Sequence, residues 1–153
     1  MDKAITRISD YLSTCTKSAD FKPMSIAPAL PHVFIIELER NTPSAKPKLR
    51  VKLIGTALEK AFGRPLVGEY LEAFIHGPRG YEVLKGFYDC AETHEPLWMR
   101  QIVKMKEGGP RFVEGALYYL APDRIYGGLA MGEWTHSDHS SFERRALRRA
   151  PVA

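Results

Sequence analysis

Cysteine is scarce in this chain: Cys15 and Cys90 are the only two in 153 residues. Two are too few for a disulfide framework, and they lack the close Cys/His spacing of a zinc site. Both are read as reduced packing residues, since a free cysteine behaves as a small buried hydrophobe. Long apolar runs are missing as well. The longest, residues 33–36 and 116–121, fall far short of the roughly 18 residues needed to cross a bilayer as a helix. No membrane span is expected. The opening Met1-Asp2-Lys3-Ala4-Ile5-Thr6-Arg7 carries charge where a signal peptide would be apolar, so the chain reads as cytosolic. Two catalytic signatures are also absent, the Gly-Xaa-Ser-Xaa-Gly elbow and the phosphate loop ending in Gly-Lys-Ser/Thr. Nor is there a large excess of one charge. Lys and Arg number 22 against 18 Asp and Glu. Residues 137–153 hold four arginines against two acids and so supply half of the net +4. The folded body is thus only weakly basic, and nucleic-acid binding is not expected of it.

What is present describes an ordinary globular chain. With 44% hydrophobic and 26% charged residues, wholesale disorder is excluded, and the length suits one domain. Residues Ala4, Ile5, Ile8, Tyr11, Leu12 and Cys15 recur at the spacing of one helical face, predicting an amphipathic N-terminal helix. Pro23, Pro28 and Pro31 then predict an extended lead-in. From Val33 the period becomes two: Phe34, Ile36 and Leu38 face one way, Ile35, Glu37 and Glu39 the other. A Pro-containing loop over 41–47 joins this strand to a second one carrying Leu49, Val51 and Leu53. A short helix over 57–62 follows, with Thr56 as its cap and Gly63 as its end. Another short helical piece over 70–74 and a longer helix after Gly80 come next. Three further strands, over 97–106, 112–120 and 125–134, are separated by Glu107-Gly108-Gly109-Pro110 and Pro122-Asp123 turns. The expected class is α+β, a five-stranded antiparallel sheet with helices on one face.

This order resembles a PAS domain, a small sensory module with five antiparallel strands and helices between the second and third. The residues add to the likeness: Ala19-Asp20-Phe21-Lys22-Pro23, Leu30-Pro31-His32-Val33-Phe34, and Gly55-Thr56-Ala57-Leu58 followed by Phe62-Gly63-Arg64-Pro65-Leu66-Val67-Gly68. They resemble the single-domain PAS family common in alphaproteobacteria, over about Asp20 to Trp134. The chain is thus expected to divide into an N-terminal amphipathic helix over 1–18, a PAS-like domain over 19–136 and a basic, flexible tail over 137–153. The resemblance implies binding and signalling through a homodimer or a protein partner, with a small molecule as candidate ligand. No cofactor is assigned. The light-sensing flavin motif is absent around Cys90, and haem, which would need His76 or His94 as axial ligand, is not expected.

Two faces of the third strand carry the candidate sites. Towards the helices, Gln101 is the one polar residue among Leu97, Met99, Val103 and Met105. With Tyr70, Tyr81, Tyr88 and Tyr119 as hydroxyl donors and Phe62 and Phe74 as walls, it outlines a ligand pocket. The blander reading is a filled core with every polar group paired internally. On the other face, Trp98 and Ile102 join Val33 and Ile35 in an apolar patch. Ile5, Ile8, Tyr11 and Leu12 of the N-terminal helix are its expected cover, either within one chain or across a symmetric dimer. Asp89, Glu92 and His94 read as solvated, and His136, Asp138 and His139 as a flexible polar segment. Residues 142–149 read as a solvated tail or two turns of basic helix. The alternative classes are a small α+β enzyme of unknown chemistry and a nucleic-acid-associated regulator using that tail.

Overall fold

A computed structural model describes residues 1–75, 77–104, 110–133 and 142–147. The N-terminal stripe forms helix α1 (Lys3–Leu12). The Asp2 carboxylate caps it, accepting hydrogen bonds from the Ala4 and Ile5 amides at 2.8 and 3.3 Å, which satisfies two of the orphan donors of the first turn. The three prolines do not give an extended segment. Pro23–His32 coils into 3-10 turns interrupted at Ile26, a conformation proline tolerates at the start of each turn because its missing N–H is not called on there.

Strands β1 (Val33–Glu39) and β2 (Lys48–Ile54) pair antiparallel as their alternation predicts. Helices α2 (Thr56–Phe62), α3 (Leu71–Phe74) and α4 (Gly77–Thr93) follow. At the start of α2 the capping position is Gly55, not Thr56. No side chain fits at Gly55, since a Cβ would fall against the Leu30 and Pro31 carbonyls. Gly63 ends α2 in the left-handed region at φ 77°, where glycine carries no steric penalty. Strands β3 (Leu97–Lys104), β4 (Pro110–Leu120) and β5 (Arg124–Glu133) form the meander.

A sixth strand departs from the sequence reading. Phe142–Ala146, expected as a solvated tail or helical turns, forms β6 against β3. Its partners are non-local: Arg144 Nη1 reaches Asp89 of α4 at 2.8 Å, and the Arg145 guanidinium lies 4.5 Å from the centre of the Trp98 ring. Two arginines of the basic stretch are therefore occupied within the fold. The antiparallel sheet runs β2-β1-β5-β4-β3-β6.

Each sheet face has its own core. Phe34, Ile36, Leu49, Leu97 and Leu117 meet α2, α3 and α4 residues such as Leu58, Leu71 and Phe87 on the inner face. On the outer face Ile5, Ile8 and Leu12 of α1 pack on Val33, Ile35, Ala116, Tyr118 and Tyr126. All three helix residues are fully buried, and Ser9 Oγ lies 2.5 Å from Tyr118 Oη. Both cysteines are buried thiols outside any disulfide. No helix among the described residues is long and apolar enough to cross a membrane.

Candidate functional site

Alternation along β3 decides which side chains meet the helices. Leu97 and Met99 belong to the inner core, and Gln101 follows on the same face by the period of two. Gln101 is 4% exposed and sits opposite Val113 of β4 and Phe142 of β6. Its Oε1 is buried with no hydrogen-bond partner among the described residues. Phe62 and Phe74, in edge contact at 6.0 Å between ring centres, are half-buried and pack against the same core.

The tyrosine hydroxyls do not converge on the amide. Tyr88 Oη donates to Glu72 Oε2 at 3.0 Å, and both Glu72 oxygens also accept from the Leu49 amide at 3.1 Å. Tyr70 Oη donates to Glu39 Oε1 at 2.6 Å, and Arg50 holds the other Glu39 oxygen at 2.8 Å. The hydrogen bonds from Tyr70 and Arg50 hold the Glu39 carboxyl below its ordinary value. Lys46 Nζ rides 4.0 Å above the Tyr88 ring. The result is a polar rim joining β1, β2, α3 and α4, in which these hydroxyls are spent.

Burial first, and then the Glu72 carboxylate that accepts its hydrogen bond, push the Tyr88 phenol from 10.0 up to about 12. The folded state therefore keeps this proton where the unfolded chain releases it. Its stabilising contribution is complete below pH 10 and is lost as pH rises towards about 12. Unfolding midpoints measured through that alkaline window should fall less for Tyr88→Phe than for the parent; equal slopes would mean Tyr88 does not donate to Glu72.

Two other tyrosines also differ from the pocket reading. Tyr81, near the start of α4, is 64% exposed. Tyr119 is half-buried against the inner core; its ring stacks on His94 at 3.6 Å and its hydroxyl accepts from the Asp123 amide at 3.1 Å. His94 is itself exposed. It takes φ 62° just past α4, and His76 lies outside the described residues.

The outer patch is buried within the chain. Val33 and Ile35 are covered by α1, while Trp98 and Ile102, at 6% and 8% exposure, lie on the same face beyond it. Tyr11 is half-buried; its hydroxyl accepts from the Lys22 amide at 2.6 Å and donates to the Asp20 carbonyl at 3.1 Å. A dimer seated on Val33, Ile35 or the buried face of α1 would require that helix to leave the sheet. Sequence reasoning missed Glu72 and Glu39 as hydroxyl acceptors, and Glu114, which is 4% exposed and accepts from the Asp2 amide at 2.6 Å. The one signal for Glu114 was a carboxylate between apolar residues on a predicted strand. Around Asp89, partial burial opposes ionisation, but hydrogen bonds from Lys85 and Arg144 hold its carboxyl below the ordinary range. Among the described residues no three His, Cys, Asp or Glu side chains cluster to hold a metal; His136, Asp138 and His139 lie outside them.

No protein-family model matches this sequence, and no curated protein matches it. A solved structure described as that of an RNA-binding Light-Oxygen-Voltage receptor is similar at 16% identity and a TM-score of 0.47. The likeness covers 70% of this chain and 32% of that one, so this chain spans about a third of its length.

Proposed function

We propose that this chain is a PAS-type sensory or regulatory binding module, not an enzyme, which takes a small molecule between the inner sheet face and the helices and acts on a protein partner. The arrangement of elements supports the PAS part of this reading. Helices α2, α3 and α4 stand between the second and third strands, and β1 to β5 form one antiparallel sheet. The observation that carries the ligand is the Gln101 amide. A buried acceptor without a donor costs about 1–3 kcal/mol, so native cores seldom keep one. A ligand that presents an N–H or O–H to Oε1 and apolar surface to Met99, Phe62 and Phe74 answers both needs.

The test is native mass spectrometry of the full chain beside its denatured mass, for the parent and for Gln101→Met, which keeps the shape and removes the amide. A reproducible non-covalent mass is expected on the parent and lost on the variant. Ligand-free Gln101→Met should be about 1 kcal/mol more stable, because an unsatisfied buried acceptor is gone. Bare polypeptide from the parent together with a destabilised variant would sink the reading, since the amide would then be paired within the core.

A further inference from the structure

The two edges of the sheet are treated differently. Along β2 the edge is closed: the Val51 amide donates to the Glu69 carbonyl and the Gly68 amide to the Val51 carbonyl, both at 2.8 Å. Along β6 the edge is unpaired among the described residues, and Glu143, Arg144, Arg145 and Ala146 are exposed. An exposed edge is a template for another strand, which charged side chains ordinarily guard against. Here the charges select a partner. We propose that β6 pairs antiparallel with β6 of a second copy of this chain about a two-fold axis at Arg144, extending the sheet across the dimer.

The backbone sets the phase. The Leu147 amide donates to the Pro96 carbonyl at 2.9 Å, so by the alternation of an antiparallel ladder residues 143 and 145 also bond towards β3, and Phe142, Arg144 and Ala146 turn their N–H and C=O groups to the free edge. A two-fold axis through Arg144 places Arg144 opposite its counterpart and Phe142 opposite Ala146, closing about six backbone hydrogen bonds. The side chains set the register. Arg145 stands over Trp98 on the outer face, and Glu143, two residues away, shares that face. Centred on Arg144, each Glu143 faces the Arg145 of the other copy. A shift of two residues one way sets Glu143 against Glu143, and the other way Arg145 against Arg145, and like charges directly opposite destabilise a ladder. A shift of one residue is closed to a two-fold dimer, because it would place inner-face side chains opposite outer-face ones. The paired Arg144 side chains lie on the helix side, where each is already answered by its own Asp89 at 2.8 Å. A contact of this size is small for a stable dimer, so it forms at high concentration and weakens with salt.

Sedimentation of the full chain over a concentration series at low salt tests this. The parent should show a reversible monomer–dimer equilibrium. Glu143→Arg and Arg145→Glu should each raise the dissociation constant about tenfold, since each sets like charges opposite. Mixed in equal amounts, the two variants should form heterodimers with nearly the parent's affinity, because opposite charges then meet at both pairs. Arg144→Pro removes the edge-facing N–H at the axis while leaving the β3-facing groups in place, and should be monomeric. Slow exchange of the Trp98 and Arg100 amides, the ones that face β6, shows whether β6 remains on β3. A parent that stays monomeric at about 1 mM, a concentration that would populate even a weak pairing, overturns the proposal. So does an Arg144→Pro variant that dimerises like the parent, or a mixture without heterodimers when both variants keep that protection. If either charge variant loses it, the Arg144→Pro result alone decides.

Discussion

Replacing Gly127 by alanine is expected to lower stability by about 3 kcal/mol, the upper end of what overpacking a core costs. Gly127 lies in β5 between Phe34 of β1 and Leu117 of β4. A methyl group there would overlap the Ala116 carbonyl oxygen and fall 2.6 Å from Phe34 Cζ and 3.0 Å from its Cε2. A flexible side-chain end can retreat from such a clash, but a backbone carbonyl held in the β4–β5 ladder moves only by opening the ladder. Phe34 is also confined, tilted against Phe87 of α4 at 5.8 Å between ring centres. Gly132, in the same strand, is the control: a methyl group there meets nothing within 4 Å, and alanine should change stability by no more than about 0.5 kcal/mol. Urea unfolding of the two variants beside the parent reads the difference. Equal midpoints for Gly127→Ala and the parent would show that β1, β4 and β5 do not meet in this register.

Ile8→Ala should cost a similar amount, about 3 kcal/mol, from lost burial plus the cavity left behind. Ile8 is fully buried, lies over Gly128 and shares the outer core with Ile5 and Leu12. The dependence on concentration matters as much as the size of the loss. When α1 covers its own sheet, the urea midpoint is the same at low and high protein concentration for Ile8→Ala and its parent alike, provided both carry Arg144→Pro so that β6 pairing does not contribute. A helix that packed on a second copy would make the midpoint climb with concentration, since association stabilises by mass action. A small Ile8→Ala effect would mean that α1 is only loosely seated, and would reopen the outer face as a surface for partners.

Much of this architecture was legible in the sequence. The helical stripe of Ile5, Ile8 and Leu12, the alternation around Phe34 and along β3, and the stop at Gly63 each follow from a short-range period or a backbone preference. Gln101 could be placed on the helix side of β3 because strand alternation needs no knowledge of the neighbouring strand. The errors lie where a local pattern admits two structures. Pro23–His32 is compatible with extended chain and with 3-10 turns, and packing beside α1 selected the turns. Tyr81 satisfies the helical spacing of α4, but periodicity is silent on where along its length a helix first touches the sheet. The destinations of the Tyr70 and Tyr88 hydroxyls depend on carboxylates far away in the chain, Glu39 and Glu72.

Phe142–Ala146 shows the division most clearly. Two arginines, a glutamate and an alanine are good helix formers and equally good solvated residues, so sequence alone favoured helix or free tail. Strand pairing came from the exposed edge of β3, the Asp89 carboxylate and the Trp98 ring, all more than 40 residues away. By itself the sequence determined the class of elements, their order and which side of each strand is apolar, because those depend on side-chain period and local backbone freedom. The tertiary structure decided what covers the outer face, which hydroxyls are spent and which sheet edge stays open among the described residues, because hydrogen bonds and burial between distant segments exist only once the chain has folded.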